Sequence, residues 1–216
     1  MKSLKELRLG SWSAIAVAVE VALFAAELAW YLVAPSRAAD MVSYVVCMLL
    51  APSFVAMVAC TPLVARDGSR SFTRAALGLA AMYGVLCPGV YYLQLSALRL
   101  GTYAADAGAL AMLRFTPGSP AFALDMLGYG FMCLSTLLLV PSLERTGAAR
   151  VARVFATING IIAVPTVLFP ALRFSQSGTG ASGSFGSVVL LFWCVVFFPI
   201  PVACARLFAR AKGAVS

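Results

Sequence analysis

Histidine is absent from this chain, and with it the side chain most often used for proton transfer near neutrality and for metal binding. Charge is scarce as well. Only 11% of the 216 residues are Asp, Glu, Lys or Arg, against roughly 25% in soluble domains, which excludes an ordinary soluble globular domain. The six cysteines, at 47, 60, 87, 133, 194 and 204, show no Cys-x-x-Cys spacing. Each falls inside an apolar run, so they read as small buried residues and not as a disulfide framework or a metal-ligand set. No Gly-rich loop of the phosphate-cradling kind occurs. Neither a metal nor an organic cofactor is expected.

What the chain has in quantity is apolar length: 62% of it is hydrophobic. Six runs approach the ~20 residues needed to cross about 30 Å of hydrocarbon: Trp12–Ala34, Met41–Ala65, Ala75–Leu98, Ala121–Leu143, Val154–Leu172 and Gly186–Phe208. None alternates as a lipid-facing barrel strand would. The expected class is all-α, an integral membrane bundle of six transmembrane helices forming one domain over residues 1–216. The first run follows a basic stretch, but it exceeds the roughly 7–15 residues of a signal-peptide core and contains two glutamates, so helix 1 is expected to be retained.

The net charge of +8 invites a nucleic-acid partner, but its distribution argues for a bilayer and against nucleic acid. Lys2, Lys5 and Arg8 precede helix 1, Arg66, Arg70 and Arg74 follow helix 2, Arg145, Arg150 and Arg153 follow helix 4, and Arg206, Arg210 and Lys212 close helix 6. The opposite side keeps Arg37, Arg99, Arg114 and Arg173. Cytoplasmic loops carry the Lys/Arg excess. The expectation is a multi-pass plasma (inner) membrane protein with both termini in the cytoplasm.

Within the apolar runs stand three carboxylates, Glu20, Glu27 and Asp125. An acid at the bilayer centre costs about 2.5–3.5 kcal/mol on insertion scales, so such residues are functional-site candidates by default. Glu20 and Glu27 share a face of helix 1, about 10.5 Å apart along the axis. Helix 4 descends from the outer side, so Asp125 reaches a depth similar to that of Glu27, in the outer half. Glu20 lies deeper. Helix 3 carries Tyr83, Cys87, Tyr91 and Gln94 on one stripe, and Tyr129 lies one turn below Asp125 with Gly128 leaving a gap beside it. If these faces turn inward, the outer half holds a pocket of two acids, several aromatics (Trp30, Tyr31, Tyr91, Tyr129) and a basic rim of Arg99 and Arg173. Trp12, Tyr31, Tyr44 and Tyr103 also suit the interfacial aromatic belt, and Ser135, Thr136 and Asn159 suit interhelical hydrogen bonding.

The connections add two features. Arg99–Pro120 is the longest, with Ser119 and Pro120 suited to the N-cap and first position of helix 4. Phe174–Phe185 is rich in Gly and Ser and reads as either a lid or a solvated connector. Pro62, Arg66, Gly68 and Arg74 recur at one offset as Pro141, Arg145, Gly147 and Arg153, and Ala-Leu-Arg closes both following helices, at 97–99 and 171–173. Helices 2–3 and 4–5 are then either related hairpins in parallel orientation or two basic loops with the same need for Arg and Gly.

An apolar pocket disfavours the charged form of a carboxyl group, so an acid there could donate a proton to a ligand. Aromatic faces attract a cation through their negative quadrupole. Those are the requirements of proton-initiated cyclisation of an isoprenoid. On Glu27 in Ala-Ala-Glu-Leu-Ala-Trp and Asp125 in Ala-Leu-Asp-Met-Leu-Gly-Tyr, the chain resembles the small membrane-integral terpene cyclases of meroterpenoid and indole-terpenoid pathways. The resemblance implies a metal-independent, acid-initiated cyclisation of a hydrophobic prenylated small molecule through a carbocation. Asp125 and Glu27 would be the general-acid candidates. Trp30, Tyr31, Tyr91, Gln94, Tyr129 and Glu20 are the candidate substrate contacts. Two other readings remain open: a small proton-coupled transporter or exporter, and a noncatalytic assembly or lipid-binding protein.

Overall fold

The computed structural model describes residues 4–101, 105–170 and 181–214. Among these the secondary structure is entirely helical, and six stretches are long and apolar enough to cross a membrane. Helices α1 (Leu4–Val33), α2 (Arg37–Cys60), α3 (Arg70–Leu93), α5 (Pro120–Leu139) and α6 (Gly147–Leu168) supply five, and α7 (Ala181–Phe197) with α8 (Pro199–Gly213) supplies the sixth. The short α4 (Ala107–Leu113) lies in the long α3–α5 connection.

Helix ends follow hydrogen bonding as well as apolarity, which is why several helices outrun their hydrophobic runs. α1 begins at Leu4 and α6 at Gly147, carrying charged residues in their first turns. Ser119 caps α5 as its sequence implied: its hydroxyl accepts from the Phe122 N–H at 3.1 Å, with Pro120 at the first helical position. The run expected as one sixth helix is divided at Phe198, because Pro199 and Pro201 supply no amide donor to the turn before them.

Neighbours in the chain pack side by side, α1 on α2, α2 on α3, α3 on α5, α5 on α6, and the last span closes the ring by packing on both α6 and α1. The α3–α5 contact is the most extensive. It depends on Gly128, where an added Cβ would stand 2.5 Å from Cys87 Sγ. Small residues admit such close approach between helices in a bilayer, where van der Waals packing drives association.

The two basic loops have two local features in common. Thr61–Leu63 and Val140–Ser142 are single 3-10 turns with proline at their second position. Gly68 and Gly147 both adopt positive φ, 79° and 54°, a region open to glycine at little cost. The loops also touch, the Arg66 N–H donating to the Ser142 carbonyl at 2.8 Å. Both lie at the end of the bundle that carries the chain termini. The cavity described below lies toward the opposite, distal end.

Candidate functional site

Asp125 is 1% exposed. Its Oδ2 accepts from the Tyr91 hydroxyl at 3.1 Å, whereas its Oδ1 has no hydrogen-bond partner among the described residues. The Tyr91 hydroxyl also lies 3.3 Å from that of Tyr129, which in turn stands 3.5 Å from Cys47 Sγ. Below the carboxyl, Cys87 Sγ sits 3.5 Å from the Asp125 carbonyl oxygen. The arrangement follows from two stripes meeting across the tight α3–α5 seam: Cys87 and Tyr91 on α3, Asp125 and Tyr129 on α5, each pair one turn apart.

These groups face a cavity of about 270 Å³ whose wall includes Asp125, Tyr91 and Tyr129. α1 contributes Phe24 and Leu28, α2 contributes Ser43 and Tyr44, the α3–α5 connection contributes Phe115, and α5 adds Phe122 and Met126. α6 and α7 complete it with Ile162, Pro165, Thr166, Phe169, Gly186, Val189, Leu190 and Trp193. Among the described residues the wall contains one carboxylate and no Lys or Arg. Aromatic contacts run around it: Tyr44 stacks on Tyr91 at 5.4 Å, Phe115 meets Phe122 at 5.5 Å, and Trp193 meets Tyr129 edge-on at 5.5 Å. The wall is thus a set of π faces around a single acid.

Trp193 is held by a buried polar cluster. Its indole N–H donates to Asn159 Oδ1 at 3.1 Å, and Asn159 Nδ2 donates to Thr136 Oγ1 at 2.9 Å. Cys133 Sγ lies 3.6 Å from the same Asn159 oxygen. Buried tryptophan N–H groups usually find such a partner. Asn159 and Thr136 therefore act as the interhelical hydrogen bonds expected of them, and through Trp193 they fix one side of the cavity.

The expected acid pair does not form in the cavity. Glu27 is 6% exposed with one oxygen unpartnered, but its polar neighbours are Ser43 and Asp40 of α2. Phe24 and Leu28 take the wall positions of α1, leaving Glu27 turned into the α1–α2 seam. Ser43 stands between them, lining the cavity and neighbouring Glu27. Glu20 is half-buried and accepts from the Ser53 hydroxyl at 2.9 Å, away from the wall.

Three expected aromatic or polar contacts also lie elsewhere. Trp30 is 56% exposed, on the outside of α1. Tyr31 is half-buried and outside the wall. Gln94 is a brace: its Nδ-equivalent amide nitrogen, Nε2, donates to the Leu113 carbonyl at 2.8 Å and its Oε1 accepts from the Phe115 N–H at 3.0 Å. It begins the π-helical turn Gln94–Leu98 that ends α3, and it fixes the backbone that carries Phe115 to the cavity. Arg99 is exposed. Arg173, Tyr103 and residues 174–180 lie outside the described residues.

Sequence reasoning missed Tyr44, assigned to the interfacial belt, and Phe115, Phe122, Phe169 and Trp193. For Trp193 a signal existed: an indole deep in an apolar run needs an acceptor, and Asn159 is an amide side chain deep in the preceding run. Among the described residues no three His, Cys, Asp or Glu side chains converge on a point. No family model matches the chain, nor does any curated protein or solved structure.

Proposed function

We propose that this chain is a membrane-embedded terpene cyclase in which Asp125 is the general acid. The observation that carries the reading is the Asp125 carboxyl group on the wall of a cavity of aromatic and aliphatic side chains, its Oδ1 buried and without a partner among the described residues. Tyr91 bonds the other oxygen, which leaves Oδ1 as the oxygen that would carry the proton. Transfer of that proton to an epoxide oxygen breaks a ring C–O bond; transfer to a terminal alkene breaks its π bond. Either step leaves a carbocation on the substrate and a carboxylate on Asp125. The neighbouring double bonds attack in turn, while the π faces of Tyr44, Tyr91, Tyr129 and Trp193 stabilise the migrating charge. Loss of a proton from the last carbon to the Asp125 carboxylate restores the acid, so the reaction is a net isomerisation. The Lys/Arg distribution orients the distal cavity toward the outer leaflet.

The test uses membranes carrying the protein and a prenylated aromatic epoxide, with no metal added. Cyclised product is expected, and Asp125→Asn should lower the rate by about 10²–10⁴, the usual worth of a positioned acid. Glu27→Gln, outside the wall, should retain most of it. Conversion that survives Asp125→Asn would overturn the reading, as would substrate-dependent proton flux in sealed liposomes, the property of a carrier.

A further inference from the structure

Among the described residues of the cavity wall, two are exposed on the outside of the bundle, Pro165 of α6 and Val189 of α7, the latter by 48%. All the others are buried or half-buried. At this seam the wall is one side chain thick. Gly186 lies on the same stretch of α7, and an added Cβ there would meet no atom of the described residues within 4 Å. The surrounding surface is apolar, with Val164 and Phe192 both 61% exposed. The Thr166 hydroxyl at this seam is spent on the Ile162 carbonyl at 2.8 Å.

We propose that the α6–α7 seam is a lateral window to the bilayer, and that the ligand is a neutral isoprenoid longer than the cavity. Its reacting end would lie against Asp125 while its remaining chain stays in lipid. Size supports this. At about 30 Å³ per water-sized group in a liquid, 270 Å³ holds about nine such groups, close to two isoprene units. Charge supports it too. A prenyl diphosphate would bring several negative charges to a wall whose described residues include one carboxylate and no cation, at a desolvation cost that none of those residues offsets. The class is therefore a prenyl alcohol, alkene or epoxide and not its diphosphate ester.

This inference shares its ligand class with the cyclase reading, and binding alone can test it. In a Trp12→Phe/Trp30→Phe background Trp193 is the sole remaining tryptophan of three. The full chain in lipid nanodiscs is titrated with prenyl alcohols of two, four and six isoprene units, each brominated at the end remote from the hydroxyl to quench the indole. All three should quench with affinities within about threefold, and Gly186→Leu, which fills the window, should weaken each by about tenfold or more. The matching diphosphates should not quench. A length cut-off after two units, indifference to Gly186→Leu, or equal quenching by the diphosphates would each overturn the window. Quenching that behaves as expected without any cyclised product would uphold the window and overturn the cyclase.

Discussion

Replacing Asp125 with leucine should make the protein more stable, and the size of the gain follows from its contacts. The Asp125 carboxyl accepts from the Tyr91 hydroxyl at 3.1 Å, with the Cys87 thiol a weaker second neighbour, and losing the Tyr91 bond costs about 0.5–1.5 kcal/mol. Tyr91 is not orphaned by the change, because Tyr129 remains 3.3 Å away. Against that loss stands Oδ1, a buried acceptor with no partner among the described residues, whose removal returns about 1–3 kcal/mol. Leucine keeps the branched skeleton of aspartate, its two methyl groups replacing the two carboxyl oxygens, so overpacking adds little. The balance favours Asp125→Leu by about 1 kcal/mol, or roughly 2–4 °C in melting temperature for a chain of this size. All six cysteines are free and buried, so a thiol-reactive fluorophore reports unfolding in detergent without any engineered label. Stability gained when a residue is removed identifies one kept for function at a stability cost. A melting temperature several degrees lower in Asp125→Leu would show that the acid holds the bundle together, and the argument for its chemical role would fail.

Two further perturbations test the supports of the site. Gly128→Ala places a Cβ 2.5 Å from Cys87 Sγ and 3.3 Å from Leu86 Cβ; it should cost about 1–3 kcal/mol through overpacking and weaken ligand quenching of Trp193, with Cys87→Ala restoring much of both in the double variant. Asn159→Leu removes the acceptor of the Trp193 N–H and the donor to Thr136, leaving polar groups unpaired at about 1–3 kcal/mol; the Trp193 emission anisotropy should fall in the sole-tryptophan background, and an unchanged value would refute the anchoring role.

The six spans were legible because hydropathy summed over some twenty residues swamps local exceptions. The break at Phe198 was equally written in Pro199 and Pro201, but apolarity runs through both and hid it. Depth was legible as well, since it follows from residue count: Tyr91 of α3 does meet both Asp125 and Tyr129 of α5. Rotation about the helix axis was not. Glu20 and Glu27 repeat at heptad spacing on α1, yet the wall takes Phe24 and Leu28 from that helix, because packing on α2 decides which face turns inward. Trp30 illustrates the same limit, reaching the right level on the wrong side. Gln94 was placed correctly in the chain, but its partners Leu113 and Phe115 belong to a connection whose path depends on α4.

The cavity's floor bears on the choice between enzyme and carrier. Tyr129, Trp193, Phe197, Phe54 and Tyr83 contact one another in a closed ring, with successive centroids 5.5, 4.9, 6.0 and 5.7 Å apart and Tyr83 returning to Tyr129 at 5.7 Å. The five rings come from α2, α3, α5 and α7, so the ring ties four helices together beneath the acid. At about 0.5–1.5 kcal/mol per aromatic pair beyond area burial, opening it at two contacts costs about 1–3 kcal/mol before any apolar surface is exposed. The Trp193–Asn159 bond adds about 1 kcal/mol more. A carrier would meet that cost in every cycle, because its ligand must pass from the distal end to the other. A cyclase has the opposite need: a fixed floor excludes water from the cation and holds the π faces in register while charge moves across them. The ring is thus an obstacle under one reading and working machinery under the other, which is why the two are separated by proton flux and not by mutation of the acid alone.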